Sequence, residues 1–105
     1  MSTEASLEGY IEEMRQRSTG KEPFGGVAKL NISDLGIILI DGSGQKITIS
    51  AEDQEANVTL TMNHDTWKKI TQGELDGVSA FMQGLMTVEG DQSIAMVLGD
   101  LLGGA

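Results

Sequence analysis

The sequence predicts an α+β domain, an antiparallel sheet with its helices gathered on one face. Three observations predict it. From residue 27 to residue 62, short runs alternate apolar with polar side chains, the two-residue period of strands. Beyond residue 63 the apolar spacing changes to three and four, the period of helices. One more alternating run, "LMTVEG", interrupts those helices and brings the strands to five, mostly antiparallel.

The elements follow in order. In "TEASLEGYIEEMRQR", Leu7, Tyr10, Ile11 and Met14 recur at helical spacing, and Glu12 and Glu13 stand within reach of Arg15 and Arg17. "STGKEPFGG" ends this amphipathic helix with Gly20, Pro23 and Gly25-Gly26. In "VAKLNIS", Ala28, Leu30 and Ile32 alternate with Lys29 and Asn31, so one face is buried. "GIILID" is apolar throughout, as a central strand covered on both faces would be. "DGSGQ" turns it into "KITIS", a hairpin, and "EDQEAN" leads to "NVTLTM", with Val58, Leu60 and Met62 on one face. Four strands joined by short turns read as an antiparallel meander.

"NHDTWKKITQG" is a helix with Trp67 and Ile70 on one side, Asn63 or Asp65 as its cap and Gly73 as its stop. "DGVSAFMQG" is a shorter one ended by Gly84; "LMTVEG" turns Met86 and Val88 inward; "DQSIAMVLGDLL" is a final helix capped by Asp91. Its stripe is Ile94, Val97, Leu98 and Leu101. Residues 1–20 are thus an N-terminal amphipathic helix of the same domain as a sheet-and-helix core over 21–105, since 105 residues hold a single core.

Composition excludes several functions. Sixteen acidic residues face seven basic ones, a net charge of -9, and no basic run exists to hold nucleic acid phosphates or an anionic membrane. No Cys is present, which removes disulfides, thiolate metal sites and thiol nucleophiles. The apolar C-terminal stretch is broken by Glu89, Asp91 and Asp100, so no stable membrane insertion is expected. The first thirteen residues carry four Glu and no apolar leader, and the expected compartment is the cytoplasm.

No catalytic or metal constellation emerges, and no cofactor is implied. His64 is the only His, placed at a helix start without an orienting partner or a nucleophile. "DGSG" lies between two strands, where a turn belongs, not at the strand-to-helix junction of a phosphate loop. "DGSGQKITISAE" imitates a calcium loop but has Lys46 where the sharp turn requires Gly. The chain reads as a non-enzyme.

What stands out is the apolar palette. Six Met against only four aromatics is unusual for a chain of this length, and three of the Met lie in "SAFMQGLM" and "AMVLGDLL". Met fills irregular gaps in cores, and it also lines cavities that accept ligands of varied shape. Spacing leaves both readings open.

The run "DTWKKITQGELDGVSAFMQGLMTVEGDQSIAMVLGDLL", with "GGVAKLNI" and "EANVTLTM" upstream, resembles the sterol carrier protein type-two domain family over residues 24 to 102. The resemblance implies a five-stranded sheet whose helices enclose an apolar tunnel, and non-enzymatic binding of a sterol-like, fatty acyl or isoprenoid lipid in a carrier or presenter role. It implies Trp67, Ile70, Phe81, Met82, Leu85, Met86, Val97, Leu98 and Leu101 as tunnel-facing, ligand-binding residues. An alternative is a non-carrying accessory subunit of a lipid or quinone pathway enzyme, and a transient partner of that kind fits either role. Two departures from the family pattern bear on the ligand. "LDGVS" replaces a Pro-containing turn, and "GLMTVEG" lacks the Lys found around that strand, so a phosphate-bearing head group loses its partners.

Overall fold

The computed structural model describes residues 7–103, with side chains as far as Leu98. Its elements run α1 (Leu7–Ser18), β1 (Val27–Ile32), β2 (Gly36–Asp41), β3 (Thr48–Ser50), β4 (Val58–Met62), α2 (His64–Thr71), α3 (Gly77–Met82), β5 (Met86–Gly90) and α4 (Gln92–Gly103). The strands form one sheet in the order β3-β2-β1-β4-β5.

Three of the four pairings are antiparallel, but β1 and β4 run parallel, Ala28 opposite Val58 and Ile32 opposite Met62. The meander expected for the first four strands is therefore incorrect. β3 lies at one edge, and the chain must pass β2 and β1 before β4 can pair. Three strand spacings are about 15 Å, and the seven residues 51–57, extended, span more than that. Lys29 Nζ meets Asp53 Oδ1 at 2.8 Å, which puts this crossing on the face of the sheet that Lys29 occupies. On that face Leu39, opposite Lys29 in the register, is buried yet outside the main core. This is why "GIILID" is apolar throughout: β2 is covered on both sides.

The register sorts the other face into rows. Ile49, Ile40, Ala28 and Val58 form one, ending at Gly90; Ile38, Leu30, Leu60 and Val88 form the next; Ile32, Met62 and Met86 form the third. Because strand side chains alternate in direction, all of these point one way. Against them pack Tyr10, Ile11 and Met14 of α1, Trp67 and Ile70 of α2, Ala80 of α3, and Ile94 and Leu98 of α4. The helices gather on one face.

Local chemistry fixes where each helix starts and stops. Asn63 caps α2, its side chain accepting from the Thr66 N–H, and Asp76 caps α3 by accepting from the Ser79 N–H. Both helices end in a left-handed Gly. Gly84 donates to the Phe81 carbonyl and Leu85 to the Ala80 carbonyl; Gly73 and Glu74 repeat the arrangement on Ile70 and Lys69. Asp91 caps α4 by accepting from the Ser93 N–H.

Two polar contacts hold α1 in place. The Arg15 guanidinium donates twice to the Ile49 carbonyl, at 2.9 and 3.2 Å, and Arg17 donates to the Thr71 carbonyl at 2.8 Å. Asn57 does similar work at the other end. Its side chain accepts from Val27 N–H, its own N–H donates to the Val27 carbonyl, and its carbonyl accepts from Asp91 N–H. One residue thus ties the start of β1 to the junction from which α4 departs.

In α4 the stripe differs from the spacing expectation. Leu98 is 1% exposed and Ile94 is buried, whereas Val97 is 46% exposed. Ile94 and Leu98 are four apart and share a face; Val97, one residue before Leu98, is turned about 100° away from it. Val97 therefore leaves the buried stripe.

Candidate functional site

A cleft of about 570 Å³ opens on the helical face beside the β4–β5 edge of the sheet. Its floor is Leu60, Met86 and Val88, from two neighbouring rows of the register. One wall is the start and middle of α3: Gly77, Val78, Ser79 and Phe81. The opposite wall is the first half of α4, with Gln92, Ala95 and Met96, and Ile70 closes the end from α2.

The lining is mostly apolar. Ile70 and Met86 are buried at the base, while Phe81 is 50%, Val78 69% and Met96 75% exposed at the mouth. Exposed single apolar residues are ordinary, but here three of them border one apolar recess. Polar groups are few: Ser79, Gln92 and one charged side chain, Asp76.

Of the nine residues the family resemblance pointed to, Ile70, Phe81 and Met86 line this cleft. Trp67 and Leu98 do not; both are fully buried among core side chains. Trp67 has its Nε1 buried without a hydrogen-bond partner, and its ring lies edge-on to Tyr10 with centroids 5.7 Å apart. Met82, Leu85 and Val97 are exposed outside the lining. The side chain of Leu101 lies outside the described residues.

Of the side chains in the lining, the sequence reading missed Asp76, Val78, Ser79, Gln92, Ala95 and Met96. For Val78, Ala95 and Met96 a signal was present in "GVSAFM" and "SIAMVL", where apolar residues surround the helix instead of forming one stripe; the polar residues carried none. Leu60 and Val88 were read as inward-facing without being assigned to a ligand.

His64 does not belong to the cleft. Its Nε2 lies 3.0 Å from the Tyr10 hydroxyl, and its backbone N–H donates to Asp34. It pins α1 to the start of α2. In the β2–β3 loop, Asp41 accepts from the N–H and the hydroxyl of Ser43, so the carboxylate serves its own turn. Among the described residues no helix is long and apolar enough to cross a membrane.

The fold recurs in solved proteins. The crystal structure of sterol carrier protein 2 like 2 from Aedes aegypti is 24% identical, with a TM-score of 0.72 over 94% of this chain and 98% of that one. The solution structure of Aedes aegypti sterol carrier protein 2 in complex with the C16 fatty acid palmitate is 23% identical, with a TM-score of 0.73 over 99% of this chain and 98% of that one. At this identity the likeness establishes the fold. Among curated proteins, the peroxisomal multifunctional enzyme A of Dictyostelium discoideum is 34% identical over 67 residues, 64% of this chain, and the match spans only 15% of that relative's length. The SCP-2 sterol transfer family model matches residues 10–103 of the 105, and the chain belongs to that family.

Proposed function

We propose that the cleft between α3 and α4 holds the alkyl part of a lipid (sterol-like, fatty acyl or isoprenoid) and that the protein carries or presents it without chemistry of its own. The observation that carries this reading is the recess itself: an apolar floor of Leu60, Met86 and Val88 under a rim of exposed Val78, Phe81 and Met96. Its volume of about 570 Å³ falls within the range of small-molecule sites, about 300–1,000 Å³. Each CH₂ transferred from water contributes about 0.8 kcal/mol, so a long chain is retained without dedicated polar contacts. Membership of a lipid-transfer family supports the same reading.

The test is titration with the uncharged fluorophore Nile red, followed by displacement with a sterol, a fatty acid, an acylglycerol and a polyprenyl quinone. Saturable uptake displaced by at least one lipid is expected. Phe81→Asp should abolish it while the circular dichroism spectrum persists, because Phe81 is half exposed and places a charge where the tail would lie. Absence of saturable uptake by every class would end the carrier reading.

A second reading, an accessory subunit of a lipid or quinone pathway enzyme, draws on Met82, Leu85 and Val97, which are exposed but lie outside the cleft. It is separated by native mass spectrometry: a stoichiometric protein partner with no lipid mass favours it.

A further inference from the structure

The cleft is not electrically neutral. Among the described residues, Asp76 is the one charged side chain in its lining, and no Lys, Arg or His lines it. The two helix starts that border it each already hold a carboxylate of the chain. The Asp76 carboxylate already accepts the Ser79 N–H at 2.7 Å, and the Asp91 carboxylate accepts the Ser93 N–H at 2.9 Å. An entering carboxylate would find the partial positive charge of both helix starts answered by the chain's own acids. It would also meet Asp76 at close range. A hydroxyl would find the reverse: Asp76 accepts a hydrogen bond from it, and Ser79 and Gln92 add neutral donors and acceptors.

We propose that Asp76 makes the cleft select by head-group charge, taking lipids that end in an uncharged hydroxyl-bearing group and turning away lipids that end in a free carboxylate. This rests on the cleft being the lipid site. The acyl tail contributes alike to both classes, so the difference between them lives in the head group alone. Opposition between two like charges about 4 Å apart in water is about 1 kcal/mol, several-fold in affinity, and grows as water is excluded.

The experiment compares oleate with monooleoylglycerol, which share one tail, as displacers of Nile red at about pH 8, where a monomeric carboxylic acid is ionised. Both are kept below the concentrations at which they aggregate. Monooleoylglycerol should displace the probe at the lower concentration, and added salt should narrow the gap by screening. Asp76→Asn removes the charge but keeps an equally good helix cap, so α3 persists. It should reduce the preference roughly three- to tenfold by tightening oleate. Asp76→Ser, another good cap, should repeat the result.

Equal affinities in the natural chain, or a preference unchanged in both variants, would overturn the selectivity while leaving the carrier reading intact. Failure of monooleoylglycerol to displace the probe overturns the selectivity, and failure of every lipid class overturns the carrier reading with it.

Discussion

Tyr10 and His64 meet edge to face, ring centroids 5.5 Å apart at 89°, with the tyrosine hydroxyl 3.0 Å from His64 Nε2. The pair is 54 residues apart in sequence and joins α1 to the first turn of α2. On its other side Tyr10 stands edge-on to Trp67. The N-terminal helix is thereby fixed to the helix whose end closes the cleft.

Tyr10→Phe keeps the ring and removes the hydroxyl. It should lower the unfolding free energy by about 1 kcal/mol, the usual net value of one hydrogen bond, and lower the melting temperature by about 4–8 °C. The pH dependence supplies a separate readout. Burial, and then the nearby Glu13 carboxylate, raise the Tyr10 pKa above its ordinary 10.0. The folded protein thus favours the neutral phenol. That stability is intact below the unfolded value and is lost as pH rises through the higher folded one. The difference between the parent and Tyr10→Phe, followed by denaturant melts, should therefore be constant near neutrality and shrink above about pH 10.

Adjacent residues of α4 make a sharp contrast. Leu98→Ala empties a fully buried site facing the core and should cost about 2–5 kcal/mol. Val97→Ala removes an exposed side chain and should stay within about 0.5 kcal/mol. Equal costs would mean that α4 is rotated from the orientation described.

Gly90 ends β5 with φ +111°, and a Cβ placed there would fall against the carbonyl oxygen of Asn57. The obstruction is backbone, held by its bond from Asp91 N–H, so it cannot swing aside. Gly90→Ala should destabilise by roughly 2 kcal/mol or more, measured by urea melts, because strain and steric contact act together. Gly44, in the β2–β3 loop with open space around it, is the control, and Ala there should be nearly neutral.

The acid side of the stability curve carries a signature of the β2–β3 loop. The Ser43 hydroxyl, and then its N–H, hold the Asp41 pKa below the ordinary 3.8. The folded state favours the carboxylate, so this contribution is present above the unfolded value and is lost as pH falls through the folded one. Ser43→Ala should move the Asp41 titration upward toward 3.8 in a carboxylate-resolved NMR experiment. It should also soften the acid limb of a stability profile.

Much of this fold is written locally. The alternation of Ala28, Leu30 and Ile32 and of Val58, Leu60 and Met62 fixes which face each strand buries, and Asp91 and Gly84 mark helix ends as their chemistry dictates. The parallel pairing of β1 with β4 is not local. It depends on residues 51–57 crossing the sheet, and alternation is the same whichever neighbour a strand has. Side-chain placement in the cleft was only partly legible for a related reason. Apolar spacing puts Trp67 on the inward face of its helix and the family resemblance adds Phe81, but neither tells how deeply each is covered. Trp67 packs against Tyr10 of α1 and is fully buried, whereas Phe81 of α3 is half exposed.

The two N–H groups that Arg15 gives to the Ile49 carbonyl have a consequence for how these molecules meet one another. An outermost strand offers its backbone to any extended chain that drifts past, the usual first step toward fibrils. Here a positively charged plug occupies that invitation on β3, and displacing it strands a guanidinium as well. Backbone zippering along this margin is thereby hindered at Ile49.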